Sequence, residues 1–551
     1  MPYEITMLAQ SPDDAERTHD ASSTFAARPG PPADLVVVGA GLSGLASAYF
    51  YQRRFGAHAR IVIVDAARQI GGMTRRLELN VDGHTVVTNG GAAAFAGMES
   101  WTSGATANVL RELDLVATKS GTSSDREFES SNELGGCIYL QHMGQRPRAL
   151  VDAGPLLAPF EPKQATAFRS AIAGLPFDDF TRSELLGLWL GTSTLAPNSA
   201  DALRGKLSYR TFLTDCVGLS PQAADVLDRR PIGTFGSPSA CVPAFDALAA
   251  GFPGSAFADR LGVHPYRWIT DSSLGYEDGL ATVSAALLSR ISQNAKHNDG
   301  RVELVLGHRV VDLFNRDDCV VAQVEGQRAS FEVVGSAAVF AGSSQQMARA
   351  VRELSHPVRC ILERVVKPPM CYVAVGIRDW RVLADASIRQ VWSPDAFFYD
   401  ITLRAPHGAN PDRPAALELV YRPIADLPTD DYRVEARTAS AALVATDVEV
   451  FRQHINNQLD GVLGRFGFDP DRDIAEAVVN SWPHTYSPVL NTLVDDAATF
   501  QREMEVSRQP IGRIAVAGAD SHRFGWAQAT FDAGERAVND LPSGAPQAFF
   551  R

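Results

Sequence analysis

The sequence predicts an α/β fold, and three observations carry that prediction. The first is an apolar strand over residues 35–38 that runs into Gly39-x-Gly41-x-x-Gly44, then a helical pattern (Leu42, Leu45, Ala46, Tyr49), then a second apolar strand over 61–64 closed by Asp65. The second lies near the other end: Arg513-Ile-Ala-Val-Ala-Gly518-Ala519-Asp520 is again a short buried strand, a glycine and an acid, and a helix over 529–541 follows. The third is their separation. One unit built from both ends of the chain has to be discontinuous, with a second unit inserted between its pieces.

Each element has a physical reason. Strand, glycines, helix, strand and acid stand in the order a dinucleotide fingerprint requires, with the acid about 20 residues past the last glycine. Gly39 permits a tight turn, Gly41 lets the backbone approach a pyrophosphate, and Gly44 lets helix and strand pack closely. Leu42 and Ser43 open the helix, whose unpaired N–H groups and dipole favour an anion. Asp65, followed by Ala66, ends the second strand where it can accept hydrogen bonds from a ribose. A second glycine pair comes at once, Gly71-Gly72-Met73-Thr74, and a third glycine-rich piece at Asn89-Gly90-Gly91. A nicotinamide dinucleotide needs no such extra pair; a longer, extended cofactor does.

The middle of the chain supplies a return path. Residues 301–313 read as strand, turn and strand, 318–325 and 331–334 continue a small antiparallel sheet, and 336–342 read as a buried strand closing on a glycine. Residues 278–291 look like the helix leading in. Val448, Phe451, Ile455, Leu459 and Val462 fall at helical spacing before Gly464, and 370–376 read as a strand flooring a cavity. Residues 121–136 are rich in Ser, Asp and Gly and are expected to form a surface loop.

Together the glycine fingerprint, the Gly71-Gly72 pair and the Gly518-to-helix segment resemble the flavin amine oxidase superfamily. Two further runs are similar to the bacterial spermidine dehydrogenase group: residues 49–65, and Arg465-Phe-Gly-Phe-Asp469 leading into Asn480-Ser-Trp482-Pro-His484-Thr-Tyr486. The resemblance implies a GR2-type Rossmann-like FAD-binding domain joined to a mixed α+β substrate domain. It places the FAD-binding domain at 33–116, 271–345 and 479–545 and the substrate domain at 117–270 and 346–478, while residues 1–32, polar and ending at Pro29-Gly-Pro-Pro32, read from their composition as a mobile tail.

The resemblance also implies FAD, held without a covalent link. No cysteine follows Cys371, which excludes a cysteinyl link from the C-terminal segment; a histidyl link stays open. Besides the three glycine-rich pieces, Asp65 and Ala66, the implied cofactor contacts are Val310 through its backbone to adenine, Ala341, Gly518, Ala519, Asp520 to the ribityl chain, and Trp526 and Ala527 at the helix aimed at the flavin. Trp526 matches one wall of an aromatic sandwich. Trp482, His484 and Tyr486 alternate along an extended segment, so they are expected to share one face of the substrate cavity. His522 lies beside the flavin-ring segment and is a candidate hydrogen-bond donor.

Two departures stand out. The arginine usual after the glycine pair is Met73, with Arg75 or Arg76 as the substitutes at hand. The lysine usual at the floor strand is Met370, and Lys367 is expected on the opposite face by strand alternation. That places fast reaction with oxygen in question and makes another acceptor plausible.

The expected activity is oxidation of a carbon–nitrogen bond of an amine, polyamine-like or related, by hydride transfer to flavin N5. The alternatives are a flavin desaturase or oxidase acting on C–C or N–N bonds in a specialised biosynthetic pathway, and a non-catalytic flavoprotein. The expected partners are a small amine-like molecule, oxygen or another electron acceptor, and a second copy of the chain in a homodimer. The chain has 551 residues, 45% hydrophobic and 21% charged, with net charge −13. It is long enough for two or three structural units. The charge argues against nucleic-acid binding and suits solubility or cationic substrates. Six scattered cysteines without a C-x-x-C pair fit a reduced, cytoplasmic protein, and neither a metal site nor a membrane span is expected.

Overall fold

The structure is a computed structural model. It describes residues 3–8, 26–27, 31–96, 104–115, 134–157, 164–266, 274–276, 278–327, 329–404, 410, 412–425, 427 and 429–542. Most of the expected loop at 121–136 lies outside these residues, and its last two positions begin the strand Gly135–Leu140.

Two large sheets organise the chain. In the first, strands follow the order Arg301–Leu306, Arg60–Asp65, Ala33–Val38, Ser330–Phe340, Cys319–Gly326, His308–Arg316. The first four are mutually parallel, and Ile514–Val516 adds a further parallel partner to Ser330–Phe340. Apolar runs such as Ile61-Val-Ile-Val64 are buried on both faces, as a parallel sheet covered on both sides demands. Helices Leu42–Phe55, Ala281–His297 and Ala529–Asp540 close over one face through Leu45, Leu287 and Phe531. Ser330–Phe340 has two roles: its first half pairs antiparallel with Cys319–Gly326 and its second half parallel with Ala33–Val38. The antiparallel meander expected in the middle of the sequence is therefore continuous with the parallel sheet.

The second sheet has the order Glu4–Met7, Ile474–Trp482, Met370–Ile377, Ala415–Tyr421, Phe398–Arg404, Ile388–Trp392, Gly135–Leu140, Ala149–Asp152. Helix Val448–Leu463 buries Phe451, Ile455 and Leu459 against one face of it. The helical segment between residues 165 and 263 packs on the other, where Met370, Trp392 and Tyr399 join its core. The hairpin Arg76–Val81 and His84–Asn89 belongs to neither large sheet, but Leu77, Leu79 and Val86 pack on Ala374, Ala416 and Val478 of the second.

Two expectations are corrected here. The N-terminal 32 residues are not simply a tail: Glu4–Met7 pairs in parallel with Glu476–Val479, and Tyr3 is buried with its hydroxyl donating to Asn456 Oδ1 at 2.9 Å. Ala26–Ala27 pairs with Phe331–Glu332 of the first sheet. Second, a boundary at 479 cuts through the strand Ile474–Trp482, which belongs whole to the second sheet.

Candidate functional site

Four parallel strands end at one edge of the first sheet. Ala33–Val38 runs into Gly39, Arg60–Asp65 ends on Asp65, Ser330–Phe340 leads to Ala341, and Ile514–Val516 to Gly518. The carboxyl edge of an open parallel sheet is where such folds take their ligands.

The glycines there answer to different constraints. A β-carbon on Gly44 would lie 1.9 Å from the Gly39 carbonyl oxygen, so only glycine lets helix Leu42–Phe55 approach its strand. A β-carbon on Gly41 would meet nothing nearer than Gly72 Cα at 3.8 Å and Gly71 O at 3.9 Å. The protein itself thus leaves room at Gly41, which is the space a ligand's backbone approach would use. Helix Leu42–Phe55 has neither a side-chain cap nor an acid in its first turn. Its leading N–H groups, at Leu42 and Ser43, are therefore not engaged by a cap and suit an anion.

The second glycine pair is drawn in beside the first motif. Gly71 N donates to Ala40 O at 2.9 Å, and Gly41 and Gly71 form a parallel bridge. Thr74 Oγ1 lies 2.9 Å from Gly71 O and 2.7 Å from Ser284 Oγ, fixing this turn to helix Ala281–His297. Met73 contributes its carbonyl, which accepts from Ala92 N at 2.8 Å. Asp65 accepts from Ala40 N at 2.6 Å and Ala67 N at 2.7 Å, so its carboxylate shapes the turn through Ala66. Val310 is buried in its strand, and Ala341 N donates to Val38 O at 2.7 Å.

At the C-terminal piece, a β-carbon on Gly518 would stand 2.2 Å from Gly342 O. Ala519 and Asp520 follow in a short 3-10 turn, and Asp520 Oδ2 accepts from Ser344 N at 3.0 Å while Oδ1 lies 3.0 Å from Lys367 Nζ. Lys367 precedes the strand Met370–Ile377 rather than belonging to it, so strand alternation does not govern it; its side chain turns to Asp520. His522 lies in the same turn, with Nε2 buried and without a hydrogen-bond partner among the described residues. Burial, with Arg536 and Arg508 nearby, lowers its pKa to about 4, so it is a neutral imidazole at ordinary pH.

The piece Asn89-Gly90-Gly91 is clamped from the second sheet. Asn89 Nδ2 donates to Glu418 Oε1 at 2.6 Å, Thr88 Oγ1 donates to the same carboxylate, and Arg404 pairs with Glu418 Oε2 at 2.5 Å. From the neighbouring part of that sheet, Asn480 Nδ2 and Trp482 Nε1 both donate to Gly90 O, at 2.5 and 2.7 Å. Arg75 reaches the same place: its guanidinium donates to Asn480 Oδ1 at 3.0 Å and lies 4.9 Å from the centre of the Trp482 ring. Arg76 instead turns outward to Glu78 and Asp278.

The expectation that Trp482, His484 and Tyr486 share one face does not hold. The strand ends at Trp482 and the chain bends at Pro483 and His484. Trp482 instead supports the Asn89-Gly90-Gly91 segment, donating to Gly90 O and lying under Arg75. His484 is half-buried in the bend, and Thr485 N and Oγ1 each donate to Pro368 O at 2.9 Å. Tyr486 crosses to the helical layer, donating to Gly233 O at 2.9 Å and hydrogen-bonding Tyr372 of the floor strand. Trp526 is half-buried on a bend, and a β-carbon on its neighbour Gly525 would lie 3.5 Å from Val489, a few residues past Tyr486. The C-terminal bend and the segment after Ile474–Trp482 therefore do meet.

The same face of the floor bears residues that the sequence left unmarked. Tyr399 places its hydroxyl 3.7 Å from Met370 Sδ, and burial raises the hydroxyl pKa of Tyr372, Tyr399 and Tyr486. Asp400 accepts from Gln390 Nε2 at 2.6 Å and Thr402 Oγ1 at 2.9 Å, and burial raises its pKa in spite of Arg230 and Arg404 nearby. Glu418 and Asp400 sit in strands with ordinary β composition, which offers no motif by which to find them.

The NAD(P)-binding Rossmann-like domain family matches residues 37–113. Among curated proteins, none matches this sequence. Solved structures do. Putrescine oxidase bound to putrescine superposes with a TM-score of 0.55 at 14% identity, over 93% of this chain and 99% of that one. Cyclohexylamine oxidase from Brevibacterium oxydans IH-35A gives 0.57 at 17% identity, over 92% and 98%. A proposed protoporphyrinogen oxidase from Exiguobacterium sp. 255-15 gives 0.57 at 15% identity, over 92% and 97%. At such identities the likeness establishes the fold. The chain shares the architecture of these oxidases: a Rossmann-like dinucleotide domain with a mixed α+β partner. No helix among the described residues is long and apolar enough to cross a membrane.

Proposed function

We propose that this chain is an FAD-dependent oxidoreductase that oxidises a carbon–nitrogen bond of a small amine, polyamine-like or related, in a reduced cytoplasmic setting. The observation that carries the reading is the convergence at one sheet edge of Gly41, the Gly71-Gly72 turn and Asp520, tied to the second sheet through Lys367–Asp520 and through Asn89 and Gly90. Room at Gly41 and the uncapped helix behind it fit a dinucleotide's diphosphate. Bound there, FAD would supply the acceptor for a hydride equivalent from the carbon beside nitrogen.

The chain's own residues have the remaining tasks. Asn89-Gly90-Gly91 is held rigid by Glu418, Asn480 and Trp482, so the floor is fixed relative to the cofactor cradle. Tyr372, Tyr399 and Tyr486 present aromatic faces and hydroxyls that remain protonated through the neutral range, which suits holding a cation without supplying a base. Burial at this floor also favours the neutral form of an amine, the form able to release hydride.

A second reading, a C–C or N–N desaturase, draws some support from the likeness to the proposed protoporphyrinogen oxidase. Asp400 and Glu418, each hydrogen-bonded within the protein, make the floor polar, and a polar floor suits a nitrogenous substrate better than an apolar one. The test is anaerobic. Flavin-loaded protein is mixed with diamines, monoamines and non-amine reductants of the same size, and loss of flavin colour is followed. Bleaching by an amine supports the proposal; bleaching only by a non-amine overturns it. Readmitting oxygen, then artificial acceptors, identifies how the reduced flavin is reoxidised.

A further inference from the structure

Helix Ile232–Phe235 of the helical layer carries one glycine within it and a second at its C-cap. The cap, Gly236, is glycine for structural reasons. Its φ is +66°, and a β-carbon there would lie 2.5 Å from Pro368 Cγ and 3.0 Å from the Tyr486 ring. Gly233 has no such reason. It lies in the helix, outside the left-handed region, and a β-carbon there would meet no atom nearer than the Tyr399 hydroxyl oxygen at 3.9 Å. In a helical turn glycine is worse than alanine by about 1 kcal/mol. Neither backbone nor packing therefore accounts for it.

Gly233 is exposed, yet it stands over the tyrosines of the floor. Its carbonyl accepts from the Tyr486 hydroxyl at 2.9 Å, and Tyr486 hydrogen-bonds Tyr372. Burial raises the hydroxyl pKa of Tyr372, Tyr399 and Tyr486, so these groups lie in the interior. The exposed surface of Gly233 thus belongs to a space between the helical layer and the floor. The height of that space is fixed. Arg422, fully buried just after strand Ala415–Tyr421, donates from Nε to Gly236 O at 2.7 Å and from Nη1 to Glu435 Oε1 at 2.6 Å. An arginine from the floor holds the helix in place, so a side chain added at position 233 has to fill the space.

We propose that Gly233 is the specificity-determining position of the substrate chamber: the side chain it lacks leaves room for the hydrocarbon body of the amine over Tyr399 and Tyr486. This rests on the amine reading above and deepens it. No charged atom lies within 4 Å of the position a β-carbon would take, so the part of the substrate that lies there is uncharged.

The test follows chain length. Flavin-loaded protein is reduced anaerobically with n-alkylamines from propylamine to octylamine and with the matching α,ω-diamines. The dissociation constant of each is read from the concentration dependence of bleaching. Gly233→Leu is expected to lower the affinity for the longest amines relative to the shortest by about 10- to 100-fold, the cost of overfilling a packed space. Gly233→Ala should fold as wild type does and move the same ratio in the same direction by a smaller factor. Should Gly233→Leu fail to fold, Gly233→Val is read in the same series. A length dependence unchanged from wild type overturns the proposal. So does an equal loss for every amine at full flavin content, which would give Gly233 a role in packing alone. Wild-type flavin that no amine bleaches would instead sink the amine reading itself.

Discussion

Lys367 and Asp520 form a buried ion pair, Nζ to Oδ1 at 3.0 Å, with side chains only 9% and 4% exposed. The pair ties the segment before the floor strand to the turn after Ile514–Val516, joining the two domains at the candidate site. Removing one partner would strand the other charge in a poorly solvated place. Lys367→Met is therefore expected to cost about 3–5 kcal/mol of stability. Adding Asp520→Asn should restore much of that, because the amide oxygen can still accept from Ser344 N. Denaturant unfolding of the two variants checks this. A single variant as stable as wild type would mean that the pair is open to solvent.

The two glycines of the first motif should part company on substitution. Gly44→Ala forces a methyl against the Gly39 carbonyl and should cost about 3 kcal/mol or more, visible as loss of folded protein. Gly41→Val should leave the thermal unfolding midpoint close to wild type and give colourless protein. Stoichiometric flavin in folded Gly41→Val would contradict the placement of the diphosphate.

His522 should make stability fall with acid. Its pKa is lowered from 6.5 to about 4 by burial and by Arg536 and Arg508. Between those values the unfolded chain binds a proton that the folded chain refuses, so stability drops as pH falls from near 7 toward 4. Replacing it by Gln should flatten that part of the profile. An unfolding free energy whose slope over this range is identical in wild type and His522→Gln would remove the imidazole from the buried position.

Tyr3 anchors an edge strand that the sequence does not announce. It is buried, donates to Asn456, and its carbonyl accepts from Arg452. Tyr3→Ala should destabilise by about 3 kcal/mol, typical of losing a buried aromatic ring. Urea midpoints of the variant and of wild type measure it; equal midpoints would show the strand to be dispensable.

The parts legible in the sequence are those set by short-range spacing. Gly39, Gly41, Gly44 and Asp65 fall within one strand–helix–strand unit, and helix Val448–Leu463 ends at Gly464 as its periodicity requires. What stayed hidden depends on which distant segments meet. Glu418 grips Asn89 across 329 residues, and Arg75 meets Asn480 across 405. Neither pairing leaves a local pattern. The alternation expected through Tyr486 failed because Pro483 has no amide proton to continue a ladder, and the chain bends there. Strand parity gives Lys367 no face, because the strand begins three residues later.

On the proposed function, segments from both ends of the chain hold one FAD along the edge of the first sheet. Equilibrium titration of cofactor-stripped protein with FAD, followed by spectroscopy, tests it most directly. Saturable, stoichiometric uptake that Gly41→Val abolishes while the fold persists is the expected result. A wild-type protein that folds and yet takes up no flavin, or a Gly41→Val variant that binds it as tightly as wild type, would contradict it.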